Sequence, residues 1–95
     1  MEIGSIRHKV LRHFAETGKT AGLPGNLAVR LRNMLAYLSM IENAEELEVP
    51  PNFGAHLLRG DRRGVWALTV TRNWRMTFRI TAALVIEDLD LEDYH

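Results

Sequence analysis

The second half of this 95-residue chain gathers side chains that can move a proton beside a dense block of arginine. His56 opens the block, and arginines follow at 59, 62, 63, 72, 75 and 79 with no lysine among them. The last three residues are Asp93, Tyr94 and His95. Two imidazoles, a phenol and a carboxylate beside guanidinium groups are suited to cutting RNA through its own 2′-hydroxyl. That route needs a base for the 2′-OH, an acid for the departing 5′-oxygen, and cations on the charge that builds at phosphorus. Histidine suits the first two tasks near neutral pH, and such proton transfer contributes ~10²–10⁴-fold. Arginine suits the third by electrostatic stabilisation. DNA lacks the 2′-OH, so this equipment implies RNA. All of it requires His56, Arg75 and the tail to converge in space.

A formal net charge of zero hides an alternation. Residues 1–41 and 56–81 are each rich in base, while 42–55 and 82–95 are rich in acid. Arginine grips phosphate with a planar fork and keeps its charge when partly desolvated. The arginine block therefore reads as a phosphate-binding surface, or as solvated strand-face residues paired with the acidic C-terminal block. Charge alone does not choose between them. The remaining histidines, His8 and His13, lie five apart on a helical pattern, a spacing that does not align two ligands. They read as surface or helix-end residues. His56, His95 and Asp93 have no recognised ligand spacing either, so no metal and no cofactor is expected.

The elements that must position these groups follow from periodicity. Ile3–Ile6 is a short strand or a helix entry. Ile6, Val10, Leu11 and Phe14 form a helical apolar stripe that Gly18 stops. Pro24 suits the first turn of a second helix, whose apolar face is Leu27, Leu31, Met34, Leu35, Leu38 and Ile41. Asn26, Arg30, Asn33 and Tyr37 fall on its opposite face. Asn43 and Glu46 could cap a further turn that Pro50-Pro51 ends.

Beyond Pro51 the period becomes strand-like. An extended segment over His56–Arg59 leads into a loop of turn residues, Gly60–Gly64. Val65–Thr71 reads as a strand, with a tight turn at Arg72-Asn73. Trp74, Met76, Phe78 and Ile80 alternate strictly with Arg75, Thr77 and Arg79, which places the arginines opposite the apolar face. Leu84–Leu89 reads as the last strand, reached through Thr81-Ala82-Ala83, a link without turn residues. Two helices followed by an antiparallel meander, packed on one side of it, make an α+β domain. Trp66, Trp74, Met34, Met76 and Phe78 read as core.

Length allows one domain over residues 1–95. Composition, 46% hydrophobic and 25% charged, is that of a globular chain. The absence of cysteine excludes disulfides and thiolate chemistry. No apolar run is long enough for a membrane span and no signal-peptide core precedes the domain, so a cytoplasmic location is expected.

Three stretches resemble the HigB branch of the RelE/ParE toxin superfamily: His56-Leu57-Leu58-Arg59-Gly60-Asp61-Arg62-Arg63-Gly64 with Trp66, Asn73-Trp74-Arg75-Met76-Thr77-Phe78, and Glu92-Asp93-Tyr94-His95. The spacing of Lys9, Phe14, Gly18, Gly22 and Pro24 and the leucine-rich second helix are similar too. The resemblance implies two N-terminal helices on a twisted antiparallel sheet, a RelE-like fold. It implies a ribosome-dependent mRNA endonuclease, or mRNA interferase, acting on mRNA in the ribosomal A site. The implied partner is a HigA-like helix-turn-helix antitoxin, through which alone the toxin would meet DNA.

Carried over by position, the catalytic residues are His56, Arg75, Asp93, Tyr94 and His95, and Arg59 is the phosphate ligand in the loop. Arg62, Arg63 and Arg72, at hairpin tips, are expected to grip RNA. Leu57, Leu91 and Ala82-Ala83 depart from the family's pattern without removing an acid, base or phosphate ligand. Two alternatives stand beside this reading. One is a ParE-like toxin that blocks gyrase by binding, which would need no acid–base tail. The other is a non-catalytic RNA-binding member of the family.

Overall fold

The computed structural model describes residues 1–94. Its two α-helices follow the expected apolar stripes. Helix α1 (Lys9–Thr17) starts where His8 Nδ1 accepts from the Leu11 N–H at 3.1 Å. It ends at Gly18, whose φ of 76° suits a residue without Cβ and whose N–H donates to Phe14 O. Helix α2 (Ala28–Met40) starts later than Pro24 implied, because Pro24 instead forms the turn that leads into it. The Glu46 carboxylate accepts from the Asn43 N–H, capping the short 3₁₀ turn Ala44–Glu48 as expected.

Five strands form one sheet: β1 (Glu2–Ile3), β2 (His56–Leu57), β3 (Trp66–Thr69), β4 (Trp74–Ile80) and β5 (Val85–Asp93), ordered β1-β5-β4-β3-β2. The antiparallel meander is present as β2–β5. The sheet is nevertheless mixed, since β1 joins its edge parallel to β5. Leu11, Phe14, Leu31, Met34 and Leu38 from the helices meet Leu68, Met76, Phe78, Ile86, Leu89 and Leu91 of the sheet in one buried core. Trp66 and Trp74 are partly buried against it. At roughly 1.5–3 kcal/mol for each large apolar side chain buried, this shared core is what holds the helices to the sheet.

Several strand boundaries differ from the sequence reading, β2 among them, which ends at Leu57 rather than Arg59. Strand β3 stops at Thr69, because the Val70 and Thr71 N–H groups both turn to Trp74 O across a wider loop. Asn73 does not take a left-handed conformation there. Strand β5 does not stop at Leu89 but runs on to Asp93, so the acidic tail is itself a paired strand. The turn without turn residues is tight all the same, and it forces Leu84 to a φ of 61°.

A bulge in β5 decides which way the tail faces. Thr77 pairs with Asp90 and Arg79 with Glu87, so Asp88 and Leu89 together oppose Phe78. Asp88 takes a φ of 58°, and its N–H donates to Ser5 Oγ at 2.8 Å. Counting by twos from buried Ile86 would send positions 90 and 92 into the core. The extra residue shifts the alternation, burying Leu89 and Leu91 and turning Asp90 and Glu92 to the open face. Among the described residues no helix is long and apolar enough to cross a membrane.

Candidate active site

The open face of the sheet carries two rows set by strand register. One runs His56, Ala67, Thr77, Asp90 across β2, β3, β4 and β5; the next runs Thr69, Arg75, Glu92. Directly opposed residues share a face, so His56 and Arg75 stand on the side away from the helices, one strand apart. Together with Arg72, Trp74 and Tyr94 they line a single pocket.

Each member is held by its own local structure. His56 Nδ1 lies 3.0 Å from Gly54 O. A carbonyl only accepts, so that contact puts the proton on Nδ1 and leaves the Nε2 lone pair for chemistry. Gly54 has a φ of 54°, and a Cβ there would lie 3.1 Å from Thr69 Oγ1. The positive φ and this close approach both favour glycine in the backbone that aims His56. Tyr94 is anchored by its N–H to Asn73 O at 2.6 Å. The Arg75 guanidinium stacks 4.5 Å from the centre of its ring, a cation–π contact. Tyr94 as a whole is 56% exposed.

Glu92, to which sequence reasoning gave no role, sits at the centre of the site's charged network. Its carboxylate accepts from both terminal nitrogens of Arg62, one at 2.9 Å, from Thr77 Oγ1 at 2.6 Å, and from Arg75 Nη2 at 3.4 Å. The Arg62 hydrogen bonds come first in holding this carboxyl at about 2, with Thr77 and the charge of Arg75 adding to them against the cost of burial. The same bond raises Arg62. Only register could have exposed this: Glu92 is 17 residues from Arg75 and 30 from Arg62 along the chain. Arg75 Nε is buried and has no acceptor among the described residues.

The other expected residues divide. Arg72 is exposed at the pocket rim, on the β3–β4 loop. Arg62, expected at a hairpin tip to grip RNA, forms a forked pair with Glu92 and closes the 3₁₀ turn Gly60–Arg62, the kind of pairing with the acidic C-terminal block that charge alone had left open. Arg59 and Arg63 flank that turn, exposed and outside the pocket lining. Asp93 is exposed where β5 pairs with Trp74. His95 lies outside the described residues. Trp74 belongs to both settings, packed on the core and lining the pocket.

A second residue that sequence reasoning undervalued is Arg30. It was placed on the polar face of α2, but its guanidinium donates to Val70 O at 3.1 Å, Thr69 O at 2.8 Å and Asn52 O at 2.9 Å. It ties the helix layer to the loop that carries Arg72 and anchors Tyr94.

Helices on one face of a sheet whose other face displays arginines and a terminal tyrosine define a RelE-like toxin fold. Two solved structures share it at low sequence identity. YafQ from E. coli strain BL21(DE3) superimposes with a TM-score of 0.61 at 14% identity, covering 94% of this chain and 91% of its own. A YoeB/ParE toxin from Agrobacterium tumefaciens gives 0.58 at 13%, covering 100% and 99%. Within that class the assignment is narrower. Residues 4–95 match the family described as RelE-like toxin of type II toxin-antitoxin system HigB, and the chain belongs to it. A relative named Endoribonuclease HigB, from Proteus vulgaris, is 37% identical over 94 residues, 98% of this chain and 99% of that protein.

Proposed function

We propose that this toxin is an endoribonuclease that cuts mRNA on the ribosome without a metal, by attack of the RNA's 2′-oxygen on the adjacent phosphorus. The observation that carries the reading is the pocket in which the Arg75 guanidinium, stacked on Tyr94, shares walls with His56 and Arg72. A scissile phosphate set against Arg75 meets a fixed charge in a partly desolvated site, where stabilisation of the phosphorane is strongest. One imidazole takes the 2′-OH proton as the oxygen–phosphorus bond forms. The other gives a proton to the 5′-oxygen as its bond to phosphorus breaks. The products are a 2′,3′-cyclic phosphate and a 5′-hydroxyl end.

His56 and His95 are the two proton-transfer groups, Asp93 orients His95, and Tyr94 stacks on a base. Arg59 assists at the phosphate, while Arg63 and Arg72 hold RNA by charge. The antitoxin partner is a HigA-like helix-turn-helix protein. The test is to add the protein to translating ribosomes and map the mRNA ends. New ends bearing 5′-hydroxyls, lost with Arg75→Ala, support the reading. No new ends, with gyrase supercoiling inhibited instead, would overturn it.

A further inference from the structure

Arg75 cannot hold its pose by packing alone. Its guanidinium lies on an open sheet face with Nε buried and unpartnered among the described residues, and one terminal nitrogen tied to Glu92. Long cationic side chains in such settings lose much of their effect to rotamer freedom. Besides the stack on Tyr94, a network built around a single carboxylate restrains this one. Glu92 is itself pinned from two further directions, by the Arg62 fork and by the Thr77 hydroxyl. Thr77 is 2% exposed and fixed in β4 between Met76 and Phe78, so the carboxylate has a rigid footing.

We propose that Glu92 is the positioning residue for Arg75, and that Arg62 serves this scaffold, bracing Glu92, rather than gripping RNA. The proposal rests on the reading of Arg75 as the ligand of the scissile phosphate. Glu92 touches neither substrate nor leaving group. It holds one terminal nitrogen of Arg75, Nη2 at 3.4 Å, while the guanidinium face lies over Tyr94. The bidentate Arg62–Glu92 pair gives that carboxylate the angular restraint that a lysine partner would not. Without it the guanidinium would swing, and misplacement by ~1 Å can cost ~10²-fold in rate.

The network also settles the electrostatics. Arg62, Arg75 and Glu92 sum to a single positive charge, so a phosphate meets one directed cation in place of two competing ones. Arg62 commits its Nη1 and Nη2 edge to Glu92. Arg72, at the pocket rim, is left with the exposed Arg59 and Arg63 for backbone contact.

The test is a double-mutant cycle read by single-turnover cleavage on programmed ribosomes. Glu92→Gln keeps an acceptor for Thr77 but loses the forked charge pair; it is expected to lower the cleavage rate ~10²-fold, with KM changed less than about threefold. In an Arg75→Ala background the same substitution is expected to change the rate less than about twofold, because its only route of action is gone. Arg62→Lys is expected to cost ~10-fold, again only when Arg75 is present.

Side-chain nitrogen NMR gives a reading independent of activity. Rotation about the Arg75 Nε–Cζ bond should be slow in the wild type and fast in Glu92→Gln. If Glu92→Gln costs as much without Arg75 as with it, or leaves Arg75 rotation slow, the positioning role is refuted while the nuclease reading stands. If Arg75→Ala cleaves normally, the nuclease reading fails and the positioning role with it. Should Glu92→Gln not fold, Arg62→Lys in both backgrounds carries the same comparison.

Discussion

Replacing Arg30 with methionine isolates a contact that holds the two layers of the fold together at the site. Methionine keeps the length and much of the apolar stem, so packing toward Phe53, over whose ring the guanidinium sits at 5.3 Å, is largely retained. What goes is three charge-assisted hydrogen bonds to the carbonyls of Val70, Thr69 and Asn52. Hydrogen bonds to charged groups contribute about 1.5–3 kcal/mol each. Two of the three are exposed to water, which recovers most of their value, so the net cost should be about 2–3 kcal/mol.

For a domain of this size that corresponds to roughly 10–20 °C in Tm, or roughly 1–2 M in the urea midpoint at unchanged m. Because Asn73 O anchors the Tyr94 N–H in the same loop, cleavage should fall ~10-fold under conditions where the variant is fully folded. Urea titration followed by tryptophan fluorescence measures the first quantity and ribosome-programmed cleavage the second. Arg30→Lys, whose compact ammonium cannot reach three carbonyls at once, should fall between the two proteins. A urea midpoint for Arg30→Met equal to that of the wild type would show that Arg30 does not hold the layers together.

Arg75→Ala should lower cleavage ~10²–10³-fold, the scale of removing one preorganised donor, while moving Tm by only a few degrees because Arg62 and Thr77 still satisfy Glu92. Stability should also carry the signature of the Glu92 carboxyl. Its folded value of about 2 lies below the ordinary 4.5, so its contribution is complete above pH ~4.5 and disappears as pH falls toward 2. Accordingly the stability gap between wild type and Glu92→Gln, measured by urea titration, should narrow steadily below pH ~4.5; a gap that stays constant to pH ~2.5 would contradict this. Leu84→Gly relieves a left-handed leucine that is half exposed and should raise stability by up to about 1 kcal/mol in thermal melts. Deleting Asp88 removes the bulge yet leaves Leu89 opposite Phe78 and Glu92 opposite Arg75, so the deletion variant should keep cooperative unfolding by circular dichroism and lose only the Asp88 bond to Ser5; a loss of cooperative unfolding would contradict this.

The apolar spacing of both helices and the strict alternation over Trp74–Ile80 were readable because helix and strand periods differ and because one face of each element is buried. Alternation alone put Arg75 on the open face. Turn chemistry was legible only where glycine or a capping side chain enforces it, as at Gly18 and at Asn43 with Glu46. It misplaced the Arg72-Asn73 turn and the start of α2, where backbone bonding within the loop outweighed local preference. The identities of His56, Arg75, Asp93 and Tyr94 as site candidates came from residue type and from the family resemblance.

Pairing across strands was decided only by the tertiary structure. A bulge is an insertion defined by two strands together, so no pattern within β5 could announce that Asp88 flips the facing of Glu92. Likewise the partners of Arg62 and Arg30 lie 30 and 22 to 40 residues away along the chain, beyond the reach of any local pattern. Sequence dictates which groups prefer burial and which local backbone shapes are cheap. Which charge meets which depends on contacts between distant segments that share no local code.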